Sequence, residues 1–347
     1  MSIDEHVGRE QILSETALSR DGGTRYYILH PKDNPETIIS SCEVTAKKVF
    51  IAVPGIGRAV QPENAYGIAS VFTNPLYRGK GMAAYLLKRV QEVVDDGETG
   101  CECGALYSDI GREYYAKLGW KDYGTPQMVF EILEGRDAPG YEVSEEGVEL
   151  LTAAEEEEIE RLCNADVESL KRRFHVYAIL AATGKRYVAF LPDWKQISWH
   201  FARDEYVVRV MAGKEVVNRG ARTKDGGSWI LWDHDLKENK LKILRLVLEE
   251  DGEETKLHED ARQLLLAALR EAADWGLKYV AVWEPWLNVG TAAMSIWGWD
   301  ENMDSQTDLK VRLTFEQRDG SIPSLRWKGG EIKEETRWQD NEYYAWC

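Results

Sequence analysis

Three observations predict an α/β fold of the α+β kind, built from two copies of one unit in which a mixed, mostly antiparallel sheet is flanked by helices. Short runs rich in Val, Ile, Tyr and Phe are interleaved with amphipathic helical patterns. A Gly-rich turn leads from one of these strands straight into a helix. The order strand, helix, strand, short helix, Gly-Trp then occurs twice along the 347 residues.

In order along the chain, Arg25–His30, Thr37–Val44 and Val49–Val53 read as three strands of an antiparallel meander, each bounded by turn formers. A further strand ends at Val71-Phe-Thr73. Beyond the Gly-rich turn, Met82, Leu86, Val90 and Val94 repeat every fourth residue and mark the buried face of a helix. Gly104–Tyr107 is the next strand, and a short helix through Tyr114, Tyr115 and Leu118 ends at Gly119, a favoured C-terminal cap. Trp120 closes the unit, with Met128–Ile132 expected as its final strand.

Gly, Pro and charge interrupt the pattern over Glu134–Gly147, so a catalytic domain is expected over 1–140 and a second domain over 141–347. Tryptophan use changes at the same place, since Trp120 is the only one of 13 before it. The acidic run Glu155–Glu158 is expected as a solvated helix N-terminus favoured by the dipole. Lys242–Leu248, Ala261–Trp275, Tyr279–Trp283 and Thr291–Trp297 then repeat strand, helix, strand and short helix, ending at Gly298-Trp299.

The formal net charge is −17, shared almost evenly by the two halves. A phosphate backbone is bound through Lys and Arg, so nucleic acid is not an expected partner. A negative field concentrates cationic ligands instead. The five cysteines lack the spacing of a disulfide scaffold or a zinc site, and Cys101-x-Cys103 reads as alternate strand residues; no metal is expected. The acidic opening Met1–His6 is unlike a secretion signal, and Leu264–Leu269, the longest aliphatic stretch in a helical pattern, is far too short for a bilayer. A cytoplasmic protein without membrane contact is expected.

The sharpest chemical signal is Val71-Phe-Thr-Asn-Pro-Leu-Tyr-Arg-Gly-Lys-Gly-Met-Ala83. Glycines there let successive backbone N–H groups point inward, and the following helix N-terminus adds positive potential, which together make a cradle for a diphosphate. The spacing is neither a Walker A loop nor GxGxxG, because Ala84 stands where the third Gly would be.

This stretch resembles the acetyl-coenzyme A motif of the GNAT acyltransferase superfamily, with Arg78-Gly-Lys-Gly81-Met-Ala83 matching its Arg/Gln-x-x-Gly-x-Gly/Ala pattern. Ser108–Trp120 resembles a second block of that superfamily, with Tyr115 in the tyrosine place; Ser108 and Gly111 depart from its usual Asn and Ala. The resemblance implies tandem GNAT-like domains with acetyl-CoA as cosubstrate. The N–H groups of Arg78, Gly79, Lys80, Gly81, Met82 and Ala83 would hold its pyrophosphate. Val71, Phe72 and Thr73 would pair with the pantetheine arm, Ser108 would lie beside it, and Tyr115 would protonate the departing thiolate. In the second copy the matching position reads Glu249-Glu-Asp-Gly-Glu-Glu-Thr-Lys256, whose carboxylates repel a pyrophosphate, so that domain is expected to be degenerate and to shape the substrate site.

Ser40–Glu43, Tyr66–Phe72, Ile197–Tyr206 and the tail Asn341–Cys347 are similar to segments of fungal lysine N-acetyltransferases, which acetylate the side-chain amine of free L-lysine in lysine catabolism. An ammonium of pKa ~10.4 must be gripped by carboxylates or aromatic faces and then lose a proton. Glu43 is the candidate for that grip, set against an ordinary exposed strand carboxylate. His200 is a candidate base or carboxylate anchor, set against a structural histidine between Trp199 and Phe201. Arg203 is a candidate partner for the lysine carboxylate, set against a surface ion pair with Glu205. By analogy with other tandem GNAT enzymes, the carboxylate of Cys347 is a candidate base. The competing readings are a protein or peptide lysine acetyltransferase and a coenzyme A-binding module without turnover.

Overall fold

The computed structural model describes residues 1–53, 60–96, 100–133, 147–181, 184–298, 311–330, 332 and 334–346. The first half runs α1 (Ile3–Glu15), β1 (Thr24–Leu29), β2 (Ser40–Ala52), β3 (Glu63–Thr73), α2 (Met82–Asp96), β4 (Cys103–Ser108), α3 (Glu113–Ala116), β5 (Lys121–Asp122) and β6 (Pro126–Ile132). The second runs β7 (Val148–Thr152), α4 (Glu156–Leu180), β8 (Lys185–Phe190), α5 (Trp194–Ala212), β9 (Asn218–Thr223), β10 (Trp229–Asp235) and β11 (Lys240–Val247). It continues with α6 (Glu254–Trp275), β12 (Tyr279–Trp283), α7 (Leu287–Trp297), β13 (Val311–Gln317), β14 (Ile322–Trp327) and β15 (Glu335–Trp338).

Two mixed sheets result. One has the order β15-β8-β2-β3-β4-β14-β5, with β1 also on β2; the other is β13-β6-β12-β11-β10-β9-β7. Each contains one parallel pair in its middle, β3 with β4 and β11 with β12, and the helices α2 and α6 each connect such a pair. The apolar spacing of α2 buries Leu86, Leu87, Val90 and Val94 against Cys42, Val44, Tyr66 and Ile68 of the first sheet. Opposite parity on β2 sends Val49 to the other face, where the two sheets, α4, α5 and the tail share one core with Phe190, Trp283, Trp338 and Tyr344.

Three expectations are corrected. The runs taken as two strands, Thr37–Val44 and Val49–Val53, form the single strand β2, because alternation continues unbroken through Ala46-Lys47-Lys48. Met128–Ile132 does not complete the first sheet: β6 pairs with β12 and β13 of the second. Its place beside β4 is taken by β14, whose Arg326 reaches Asp95 of α2 at 2.6 Å and Tyr66 at 3.3 Å. Local pattern sets which residues of a strand face inward, whereas the choice of sheet is a non-local pairing no window of sequence contains. Lastly, α6 begins at Glu254, so the acidic run Glu249–Lys256 enters the helix. The seam at 134–147 lies outside the described residues except for Gly147, and so does Trp299.

Candidate active site

The parallel pairing of β3 with β4 stops at Ile68↔Leu106. Beyond it β3 carries a bulge: Ser41 faces Phe72 and Glu43 faces Ala69, so Ser70 and Val71 together oppose the single residue Cys42. Ser70 has φ +50°, uncommon outside glycine. A bulge turns its strand, and here Ala69–Thr73 leaves β4, opening a wedge whose β3 edge has no strand partner among the described residues. Val71, Phe72 and Thr73 form that edge, with Phe72 half exposed. Gly104 lets the two strands meet closely lower down, since a Cβ there would fall 2.1 Å from the Tyr66 ring.

The cradle follows at the mouth of the wedge. Gly79 and Gly81 have φ +73° and +74°, and a Cβ at either would meet nothing within 4 Å, so glycine is required there for its conformation. Arg78, exposed, donates from Nε to the Thr73 carbonyl at 3.1 Å, and Lys80 donates to the Leu76 carbonyl. Met82 and Ala83 open α2, whose first turn contains no acidic residue. Residues 79–83 therefore present backbone N–H groups and a helix N-terminus without a competing carboxylate, which suits a pyrophosphate, whereas the Arg78 N–H is taken by the Pro75 carbonyl at 3.3 Å.

Tyr115 lies on the α2 face of the first sheet, in the core that contains Cys42 and Leu106. Its ring is buried edge-on between Tyr114 and Trp120, at 5.1 Å for Tyr114–Tyr115 and 6.3 Å for Tyr115–Trp120. Burial pushes its hydroxyl up to about 12, keeping it protonated at neutral pH. Ser108 is buried and its hydroxyl donates to the Gly111 carbonyl at 2.7 Å, so it shapes the loop after β4 by its own turn.

Glu43 projects from the opposite face of β2, at the bulge itself. Burial raises its pKa, and its carboxylate accepts a hydrogen bond from Ser70, with Glu10 and Arg9 of α1 nearby. Tyr115 and Glu43 thus lie on opposite faces of one sheet.

His200 and Arg203 meet the tail. His200 is fully buried, its Nε2 donating to the Tyr344 carbonyl at 3.0 Å, and Lys47 of β2 donates to the Ala345 carbonyl at 2.7 Å. Arg203 does not form the surface pair expected of it: its guanidinium lies 5.4 Å from the Trp346 ring centre, and Glu205 pairs with Arg219 at 3.2 Å. His200, Lys47 and Arg203 together lock residues 344–346 between α5 and β2. Cys347 lies outside the described residues.

The second sheet repeats the first. Leu244 is the extra residue of a bulge between Leu231↔Arg245 and Trp232↔Ile243, and pairing of β11 with β12 stops at Lys242↔Ala281. This second wedge is filled by the chain's own tail: Glu342 accepts from the Leu246 N–H at 2.9 Å, and Tyr343 packs edge-on against Trp283 at 4.8 Å. Arg245 at its base bonds Asp166, Asp340 and Glu342. The tail stood out in the sequence, but Asp166, Arg245 and Asp340 did not, because partners 79 to 97 positions apart leave no local signal.

Two fully buried histidines respond to pH in opposite senses. Burial depresses His200 to about 3. Burial also opposes charge on His234, but hydrogen bonds to Asp204 and Glu271, both 3.0 Å, outweigh it and raise the ring to about 9. From an unfolded value near ~6.5, His200 loses stability as pH falls from there toward 3. The contribution of His234 is complete below that pH and is lost as pH rises through 9. Each limb has a slope of up to about 1.4 kcal/mol per pH unit. Denaturant titrations from pH 4 to 9 are expected to show the acid limb flattened in His200→Gln and the alkaline limb flattened in His234→Gln; parallel curves for wild type and both variants would refute the assignment.

A bulged and splayed parallel pair, a Gly cradle opening a helix and a repeat of the same sheet define a tandem GNAT-like acyltransferase fold. A family profile described as the LYC1 GNAT-like C-terminal domain matches residues 136–347, and the chain belongs to that family of GNAT-like proteins. The chain is 23% identical over 390 residues to an uncharacterized protein of Saccharomyces cerevisiae, covering 100% of this chain and 91% of that one. Among solved structures it is similar to a probable N-acyltransferase from Enterococcus faecalis, at 12% identity and TM-score 0.50, covering 94% of this chain and 71% of that one. It is also similar to a GCN5-related N-acetyltransferase from Kribbella flavida, at 14% identity and TM-score 0.49, covering 94% of this chain but only 66% of that one, just under two thirds.

Proposed function

We propose that this chain is an acetyl-CoA-dependent N-acetyltransferase whose acceptor is the side-chain amine of free L-lysine, serving lysine breakdown in the cytoplasm. The observation that carries the reading is the wedge with its glycine cradle, with a buried tyrosine on one face of the sheet and a half-buried glutamate on the other. Residues 79–83 hold the pyrophosphate, and the free edge of Val71–Thr73 pairs with the pantetheine arm. Backbone N–H near Val71 stabilises the oxyanion as the neutral amine attacks the thioester carbonyl. The ammonium gives one proton to water before attack; the C–N bond then forms and the C–S bond breaks, Tyr115 giving its proton to the sulfur while the proton shed by the new amide nitrogen passes through water to restore the Tyr115 hydroxyl. Glu43 draws in the ammonium and holds it at the bulge. A free amino acid is favoured over a peptide because α1, the tail and the second sheet cover this face.

The test is coenzyme A release from acetyl-CoA across L-lysine, ornithine, polyamines and a lysine peptide, with mass spectrometry of the products. Turnover confined to L-lysine, with acetyl on the side-chain nitrogen, is expected. Turnover of the peptide alone overturns the small-molecule reading, and cofactor binding with silence across the panel returns the chain to a coenzyme A-binding module. Tyr115→Phe is expected to lower kcat about 100-fold with acetyl-CoA affinity retained, because its hydroxyl makes no protein hydrogen bond among the described residues; unchanged kcat at saturation counts against the acid role.

A further inference from the structure

Arg318, in the turn between β13 and β14, is only 7% exposed. Its Nε and Nη2 both donate to the Ser321 carbonyl, at 3.3 and 3.2 Å, and the guanidinium carbon lies 3.6 Å from the centre of the Trp283 ring. Its Nη1 is buried and has no hydrogen-bond partner among the described residues. A buried charged donor left without an acceptor is costly, so such a group in a native protein calls for an explanation.

The side chain lines a cavity of about 370 Å³, together with Asp109, Lys240, Lys242 and Trp283. Most other charges there already have partners. Lys242 holds Asp235 at 2.6 Å, Lys240 holds Glu238 at 3.3 Å, Glu316 accepts from Gln127, and Asp109 accepts from the Ser321 N–H at 2.8 Å. Asp319 is exposed. Glu284 is close enough to act on Arg318 electrostatically but forms no ion pair with it among the described residues. The cavity borders the cofactor wedge: Asp109 directly follows the end of β4, and the ring of Tyr107 on that strand lies 6.0 Å from Trp283.

We infer that Arg318 anchors the α-carboxylate of the acceptor amino acid through Nη1, the Trp283 ring fixing the plane of its fork. The inference rests on the reading of the acceptor as a free amino acid. A guanidinium held by two bonds to one carbonyl keeps a third direction for a carboxylate oxygen, a charge-assisted bond with defined geometry. The same corner disfavours a diamine, whose second ammonium would face a buried cation.

The measurement is kcat/KM for L-lysine and for 1,5-diaminopentane, which lacks only the carboxylate, in wild type, Arg318→Met and Arg318→Lys. Wild type is expected to prefer L-lysine, and Arg318→Met to lower the lysine-to-diamine ratio by about 100-fold, chiefly through KM for lysine. Arg318→Lys, which keeps charge without the fork, is expected to fall between them. It also carries the test if the methionine variant does not fold, which acetyl-CoA affinity reports. An unchanged ratio in the variants, with wild type active on L-lysine, overturns the anchor alone. Wild type inactive on every carboxylate-bearing amine overturns the acceptor reading and the anchor with it.

Discussion

Gly81→Val is expected to weaken acetyl-CoA binding by about 10- to 100-fold, the range that ~1–2 kcal/mol of left-handed backbone strain and a rotated N–H together supply. The residue sits at φ +74° with no atom within 4 Å of where a Cβ would stand, so the cost of a side chain there is conformational. A β-branched residue leaves that region, and in leaving it turns aside the N–H groups that enter α2. Strain alone cannot mimic the outcome, because Gly213→Val supplies a control: Gly213 caps α5 at φ +63°, again with no atom within 4 Å, but far along the chain from the cradle. Titration calorimetry of both variants decides the matter. Equal affinity in Gly81→Val and wild type would remove the pyrophosphate assignment, and equal weakening in the two variants would reduce it to global strain.

How much of this was legible in the sequence follows from the range of each interaction. The cradle is local: two glycines, a bend and a helix start within residues 75–83, and their geometry is the one the spacing predicts. The buried face of α2 is equally local, since a 3.6-residue period records it. The bulge at Ser70 is half legible, because nothing in Ala69-Ser-Val71 announces a left-handed residue, yet the wedge depends on it. What failed were the pairings. Met128–Ile132 has the pattern of a strand in either sheet, and only the competition between β6 and β14 for the edge of β4 decides its place. Arg318 looked like any charged turn residue, its burial coming from Trp283, 35 positions earlier.

The degenerate copy has a physical logic of its own. Its wedge and bulge persist, but Glu253 and Glu254 stand where the first copy has the glycines and the acid-free first turn of α2. A carboxylate there opposes phosphate, and the N–H of Leu246, past the bulge as Phe72 is in the first copy, is taken by Glu342. The second wedge is occupied by a segment of its own chain, which continues to Lys47 of β2, so the same tail packs against both sheets.

Arg245→Met is expected to destabilise the fold by about 3–5 kcal/mol, the cost of breaking a buried ion pair from one side, and to uncouple the tail from both sheets. Arg245 is 2% exposed and donates to Asp166 at 2.8 and 2.9 Å, to Asp340 at 3.1 Å and to Glu342. Burial opposes charge on Asp340, yet Arg245 and Arg173 together hold its carboxyl below the usual range. Burial lifts Glu342 to about 7, and Arg245 is the chief group opposing that rise. With methionine in place, Asp340 retains Arg173 at 2.6 Å, but Glu342 must take up a proton or leave the core. Leaving draws Tyr343 off Trp283 and Ala345 off Lys47, so acceptor KM is expected to rise even where the variant stays folded. Urea unfolding gives the stability, and hydrogen exchange at the Leu246 N–H, which donates to Glu342, reports whether the tail has moved. A loss under about 0.5 kcal/mol, the range of ordinary surface substitutions, would mean that the four-residue cluster does not hold the tail.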